Sequence, residues 1–205
     1  MKKIFFAIAL ISASFAAQAG TINAVELVSN GNFESINSPS FEFYQTVNAG
    51  MNNISDWTVG GTSVDLINGA YGAVSGNSID MLGSPGPGTL SQNLATIVGQ
   101  KYVLSFDLSA NGIGGDSKDI FVNIGSAAQL KFTGDMNHHV TEFINYTATS
   151  ALTSLSFTSA ASGYSGAVLD NVSVTIAVPE PDTYAMLLTG LGLMGFMVRR
   201  RKKTS

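Results

Sequence analysis

A chain of 205 residues with no cysteine, two histidines, 22 glycines and 12% charged residues lacks the reagents for several kinds of chemistry. Thiol nucleophiles, thiolate-ligated zinc or iron–sulfur sites, disulfides and redox switches are excluded, and two histidines supply little acid–base capacity near neutral pH. The formal charge of −4 argues against a nucleic-acid partner, and it is unevenly placed: residues 20–178 hold three lysines against twelve acids while the cations gather at the two ends.

At the N-terminus, Lys2 and Lys3 precede an apolar run over residues 4–15 and then Ala17-Gln18-Ala19. A charged start, an apolar stretch too short to span a bilayer and a small-x-small site form the pattern of a secretory signal peptide. Residues 1–19 are therefore expected to be a signal peptide cleaved after Ala19, leaving residues 20–178 as one exported domain.

That middle region reads as β-strand throughout. In Tyr102-Val103-Leu104-Ser105-Phe106-Asp107-Leu108-Ser109 the even positions are apolar and most odd ones polar, the period of two of a half-buried strand. Leu90 and Leu94 around Gln92, then Ile120, Val122 and Ile124, repeat it, and residues 168–176 place Val172, Val174 and Ile176 on one face with Asn171, Ser173 and Thr175 on the other. Turn clusters such as Ser84-Pro85-Gly86-Pro87-Gly88 and Asn111-Gly112-Ile113-Gly114-Gly115-Asp116 separate these runs. Short strands between Gly-rich turns predict an all-β fold, an antiparallel β-sandwich of jelly-roll type.

Asp170 breaks its strand's pattern, because it shares parity with Val168, Val172, Val174 and Ile176. An unpaired carboxylate on an apolar face costs several kcal/mol, so it needs a cation, a set of amide donors, or a bulge that turns it outward. Calcium, an oxygen-seeking ion plentiful outside cells, is a natural partner.

The C-terminal segment changes character again. Residues 184–198 are uncharged and apolar and stop at Arg199, Arg200, Arg201, Lys202 and Lys203. Fifteen helical residues reach about 22 Å against a hydrocarbon core of about 30 Å, and snorkelling cations with the interfacial Tyr184 make up part of the difference. The segment is expected to be a single transmembrane helix with residues 199–203 on the cytoplasmic side. Val178-Pro179-Glu180-Pro181, the Gly-containing apolar run and the cationic end resemble the PEP-CTERM sorting signal of Gram-negative bacteria, which occupies residues 179–205 on this reading. The resemblance implies passage through the inner membrane, transient anchorage there, cleavage near Pro179, Glu180 and Pro181 by an exosortase, and association with exopolysaccharide or biofilm matrix at the cell surface. Pro179 and Pro181 also keep the segment extended, by fixing φ and removing two amide donors.

A second resemblance covers roughly residues 25–176. Asn30-Gly31-Asn32-Phe33-Glu34, Asp56-Trp57, Ser63-Val64-Asp65-Leu66-Ile67, Gly76-Asn77-Ser78-Ile79-Asp80-Met81, Leu90-Ser91-Gln92 and Leu169-Asp170-Asn171-Val172 follow in this order. Together they resemble choice-of-anchor C ectodomains and the related plant cell-wall proteins with a galactose-binding-like sandwich. The resemblance implies a structural Ca²⁺ between the first and last strands, with the Asn32 backbone and the carboxylates of Glu34 and Asp170 around it. Without an ion, Glu34 would be a surface acid and Asp170 would cap a loop amide.

Catalytic motifs are weak. Asp65 and Asp80 could form a glycosidase pair, but nothing in the sequence marks one of them as a raised-pKa acid. His138 and His139 are adjacent and would point to opposite faces of a strand, which suits a polar loop before Val140 better than a metal site. Gly163-Tyr164-Ser165-Gly166 lacks the nucleophile-elbow spacing, and Asn111-Gly112-Ile113-Gly114-Gly115 opens no helix. Trp57 reads as a core anchor. The expectation is a protein that is not an enzyme, either a glycan-binding module of the exopolysaccharide matrix or a structural, adhesive surface domain. Candidate sugar-stacking aromatics are Phe121 and Phe143, out of phase with the apolar faces of their strands, and the loop residues Tyr71, Tyr44 and Tyr164.

Overall fold

The computed structural model describes residues 25–114, 116–159, 163–177 and 186–195. Among the described residues eleven strands, β1 to β11 in chain order, form two antiparallel sheets. The first sheet has six strands in the order β1 (Tyr44–Asn48), β3 (Ser63–Asn68), β4 (Asn77–Asp80), β11 (Ala167–Ile176), β6 (Lys101–Ala110) and β9 (Val140–Thr147). The second has five, in the order β2 (Thr58–Gly61), β5 (Gly88–Ala95), β10 (Leu152–Ser159), β7 (Asp119–Ile124) and β8 (Leu130–Thr133).

The two sheets share one apolar core, as a sandwich requires. From the first sheet Val64, Leu66, Ile79, Leu104, Phe106, Leu169, Val172 and Val174 enter it, and from the second Val59, Leu90, Leu94, Ile120, Val122, Leu155 and Phe157. Phe106 and Phe157 meet edge to face across the layers with centroids 5.3 Å apart, and Phe132 meets Phe106 at 5.2 Å. Trp57 packs on Phe33 and Phe157 and donates its indole N–H to the Asn30 carbonyl at 2.9 Å, so the single tryptophan is a core anchor with its polar tip satisfied. The alternation read in the sequence places Tyr102, Leu104, Phe106 and Leu108 inward as expected.

The last strand departs from simple alternation. Its pairing with β6 shifts register between Asp170 and Ser173, and Asn171 adopts a left-handed φ of 47°. One extra residue at this bulge moves Leu169 and Val172 both into the core and puts Asp170 on the outer face with Val168. Val168 and Asp170 therefore do not share a face with Val172 and Val174.

The first described residues run beside this strand. The Leu27 amide donates to the Val174 carbonyl at 3.0 Å, and the Val172 amide to the Gly31 carbonyl at 2.9 Å. A Cβ on Gly31 would lie 1.9 Å from the Val172 oxygen, so the approach needs glycine.

Residues 186–195 are helical, about 15 Å of helix at 1.5 Å per residue. Among the described residues no helix is long and apolar enough to cross a membrane. The rest of the expected 184–198 span, the signal segment with Ala19, the motif Pro179, Glu180 and Pro181, and the cationic 199–203 lie outside the described residues.

Candidate functional site

With the core on one side, the other face of the six-stranded sheet carries what the core rejects. Thr46 on β1, Asp65 and Ile67 on β3, Ser78 and Asp80 on β4, and Val168 and Asp170 on β11 alternate with core residues and so point outward. The loops between strands partly roof this face, leaving a cleft of about 190 Å³ lined by Tyr44, Asp65, Ile67, Tyr71, Asp80, Ser84, Asn111, Ile113 and Tyr164.

Asp65 and Asp80 are direct cross-strand partners in the β3–β4 ladder. Like charges directly opposite repel. Asp80 is nearly inaccessible and fully engaged: Oδ1 accepts from the Leu82 amide at 3.0 Å and the Gly166 amide at 2.9 Å, and Oδ2 from Asn111 Nδ2 at 2.8 Å. Gly166 allows this contact, since a Cβ there would lie 2.5 Å from that of Leu82. Burial pushes the Asp80 carboxyl up to about 6 against the pull of these donors, and Asp65 adds to the rise. Asp80 is thus the raised-pKa acid that the sequence did not mark. Burial raises Asp65 as well, against donation from Thr46 Oγ1 at 2.7 Å and the Ser84 amide at 3.4 Å.

Aromatic rings frame the rim. Tyr44 and Tyr71 meet edge to face with centroids 5.9 Å apart, and Tyr44 and Tyr164 are more than half exposed. Tyr71 holds a left-handed φ of 57° between Gly69 and Gly72, and the Tyr164 amide donates to Asp116 Oδ2 at 3.1 Å. Lys118 does not line the cleft; its ammonium donates to the Ser165 carbonyl at 2.7 Å and Oγ at 2.8 Å. Burial lowers its pKa, opposed by the charges of Asp80 and Asp116.

Of the expected stacking residues, Tyr71 lines this cleft and Phe121 and Phe143 do not. Phe121 lies on the outer face of the other sheet, beside Thr158 and Lys131. Phe143 is on edge strand β9, three strands from β4, about 14 Å at 4.8 Å per strand. The three cannot form one site.

Glu34 and Asp170 approach opposite parts of one segment, residues 75–78. Glu34 Oε1 accepts from the Asn77 amide at 2.7 Å and Oε2 from Asn77 Nδ2 at 3.2 Å, an approach that needs Gly76, where a Cβ would lie 2.0 Å from Oε1. Asp170 is fully buried; Oδ2 accepts from the Ser75 amide and Oγ, both at 3.2 Å, and from Ser78 Oγ at 3.1 Å, while Oδ1 accepts from the Asn171 amide at 2.7 Å. Burial still pushes its carboxyl upward. Asn32 is exposed nearby in sequence. The two carboxylates have the oxygen chemistry calcium takes, but every one of their oxygens already has a protein donor, and further ligands would have to be carbonyls or water. Among the described residues no three His, Cys, Asp or Glu side chains gather as a metal set. His138 lies in the loop before β9, its Nδ1 3.9 Å from Asp135 Oδ1.

A two-sheet β-sandwich with a loop-roofed cleft on one outer face is the class of protein these observations define. The chain belongs to the family described as "Protein of unknown function (DUF642)", whose model matches residues 26–175, and a PEP-CTERM protein-sorting motif matches residues 177–202. Solved structures of similar shape include a CBM4 structure (17% identity over 73% of this chain and 99% of that one, TM-score 0.43). A family 35 carbohydrate-binding module from Clostridium thermocellum (15%, 65% and 98%, 0.44) and the enzymatically active domain of bacteriophage CBA120 tailspike protein 4 (16%, 74% and 21%, 0.48) are others. No curated protein matches the chain.

The raised Asp80 carboxyl sets a pH dependence. Because the folded state holds this proton more tightly than an unfolded Asp of pKa 3.8 does, the contribution to stability is fully present below about pH 4 and is lost as pH rises through about 6. The gap between 3.8 and about 6 corresponds to roughly 3 kcal/mol. Asp80→Asn is expected to flatten the fall in unfolding free energy between about pH 4 and 7, measured by urea denaturation, relative to the wild-type chain. Superimposable pH profiles would remove Asp80 as the titrating group.

Proposed function

We propose that the protein is an exported, non-catalytic glycan-binding protein, sorted through its C-terminal segment and acting in or near an exopolysaccharide matrix. The observation that carries the reading is the cleft itself, in which Tyr44, Tyr71 and Tyr164 stand beside fixed polar groups of Asp65, Ser84 and Asn111. Sugar rings present C–H faces to aromatic rings and hydroxyls to carboxylates and amides, so this mixture of surfaces suits them.

The same geometry supports binding over turnover. A glycosidase acid must deliver its proton to the leaving oxygen. Asp80, whose raised pKa would suit that task, keeps 1% exposure and spends both oxygens on Leu82, Gly166 and Asn111, which leaves it without access to a substrate. Full chain in detergent should be retained on the host's polysaccharide, and Tyr164→Ala or Tyr44→Ala should weaken retention about tenfold with an unchanged melting temperature. Phe121→Ala and Phe143→Ala should leave it unchanged. A chain that ignores that polysaccharide and a broad glycan panel would make the structural, adhesive role the better reading, and release of reducing ends abolished by Asp65→Asn would make it an enzyme.

The sorting motif supports export across the inner membrane of a Gram-negative bacterium, with residues 184–198 as a transient membrane anchor and an exosortase as processing partner. Mass spectrometry of the protein from the extracellular fraction of its host should show loss of the 199–203 cations; an intact Ser205 there would contradict this.

Calcium is proposed as a further clamp at Glu34, Asp170 and the Asn32 backbone, supported by the convergence of two carboxylates from the first segment and the last strand on residues 75–78. An ion bound by the native state alone stabilises it. Excess chelator should lower the melting temperature of the full chain and added Ca²⁺ restore it, with Asp170→Asn losing the response. A melting temperature insensitive to chelator would leave the hydrogen bonds as the whole of the clamp.

A further inference from the structure

Two carboxyl side chains and no cation line the cleft. Asp65 and Asp80 face each other across the β3–β4 ladder, and neither has an ion-pair partner among the described residues, whose salt bridges are Lys131–Asp119 and His138–Asp135. Lys118, the cation whose field reaches Asp80, spends its ammonium on Ser165 and does not line the cleft. Asp65 is the accessible member of the pair. It keeps only 6% exposure, and its Oδ1 accepts from Thr46 and the Ser84 amide, while Oδ2 has no protein donor among the described residues. A carboxylate side chain that is more than nine-tenths buried, lines a cavity and has one oxygen without a donor is poised for an outside one.

The surrounding surface narrows what that donor is. Tyr44, Tyr71 and Tyr164 bring aromatic rings to the lining, and the faces of such rings attract cations through their quadrupoles. Carboxylates together with aromatic rings, and no lining cation, favour a positively charged group over a neutral or anionic one. The volume of about 190 Å³ equals roughly six waters at about 30 Å³ each, the scale of one sugar residue and not of a chain.

We propose that the cleft selects sugar residues bearing a free, protonated amine, holding the ammonium between Asp65 and the tyrosine rings, in preference to N-acetylated or neutral sugars. This rests on the glycan-binding reading and narrows its ligand class. An ammonium brings three donors and a full charge to Oδ2, whereas N-acetylation removes the charge, leaves one donor and adds bulk. The carboxylate opposite supplies field without contact, so its titration tunes the preference. Protonation of Asp80 through about pH 6 would remove one negative charge from beside the ammonium. The charged groups facing Asp80 are Asp65 and Lys118, and with Lys118 committed to Ser165 it is Asp65 that shares the cleft with the ligand.

The test uses the full chain in detergent, titrated with glucosamine oligomers and with N-acetylglucosamine oligomers of equal length at low salt and about pH 7. The free-amine oligomer should bind about tenfold more tightly. Asp65→Asn, which retains an acceptor for Thr46, should erase that ratio by weakening the free-amine oligomer more than the acetylated one. Should Asp65→Asn not fold, Tyr164→Ala decides: removing a lining ring that attracts the ammonium should narrow the ratio, and an unchanged ratio overturns the proposal. Equal binding of both oligomers overturns the amine preference and leaves glycan binding standing. Binding of neither, with a neutral glycan panel also blank, overturns both. An oligolysine of matched charge that binds as tightly, or a preference that Asp65→Asn leaves unchanged, assigns the effect to the acidic surface in general and overturns the site.

Discussion

Asp170 is a fully buried carboxylate, and burying such a charge costs several kcal/mol unless its oxygens are supplied with donors. The supply here fixes more than the side chain. One donor is the amide of Asn171, reached because that residue takes a left-handed φ at the bulge; the others are Ser75 and Ser78, at the entrance to and inside β4. The β4–β11 ladder has only two paired positions, Val168↔Asp80 and Leu169↔Ile79. Asp170 continues that joint beyond the ladder through its carboxylate, which takes the Ser75 amide and the Ser75 and Ser78 hydroxyls. Asn77 in the same segment donates to Glu34 from the start of the domain, so the first segment, β4 and the last strand are held at one place.

The cleft depends on this joint. β4 carries Asp80, and the pairing of β4 with β3 on one side and β11 on the other brings Asp80 opposite Asp65 and within reach of the Gly166 amide. Three carboxylates on one outer face, those of Asp65, Asp80 and Asp170, are all pushed upward by burial. They are not equivalent. Asp80 and Asp170 have donors on both oxygens and read as structural; Asp65 alone keeps an oxygen without one, and it is the one beside exposed tyrosines. Carrying a half-supplied carboxylate lowers stability, and such positions gather at functional sites more than elsewhere.

Half-buried strands were legible because their alternation is local. Leu104, Phe106 and Leu108, or Ile120, Val122 and Ile124, announce an inner face without knowledge of their neighbours. In β11 parity failed, since a bulge changes the phase after Asp170, but the misplaced carboxylate was itself the sign of it. The edge strands β1 and β8 are short and partly exposed, and their sequences YQTVN and LKFT carry no strong period. For the site, an out-of-phase aromatic such as Phe121 or Phe143 tells that a side chain faces outward but not which sheet it leaves. That needs the strand order, which is not local. Asp65 and Asp80 were visible as a pair of acids in adjacent apolar strands, while their opposition follows from the β3–β4 register, and the donors that hold Asp80 in its buried place, Asn111 and Gly166, are distant in sequence.

The direction of β11 relates the cleft to the sorting segment. The strand begins at Ala167, next to the Gly166 amide that binds Asp80, and ends at Ile176, one residue before the matched sorting motif starts. Ten residues of extended chain at about 3.3 Å each separate these points by about 30 Å. The first described residues follow the far half of the strand, with Leu27 bonded to Val174 and Gly31 to Val172, so both ends of the domain leave from the side remote from Asp80. Residues 178–205 therefore follow from the end of the last strand remote from Asp80, and none of the residues that line the cleft belongs to them.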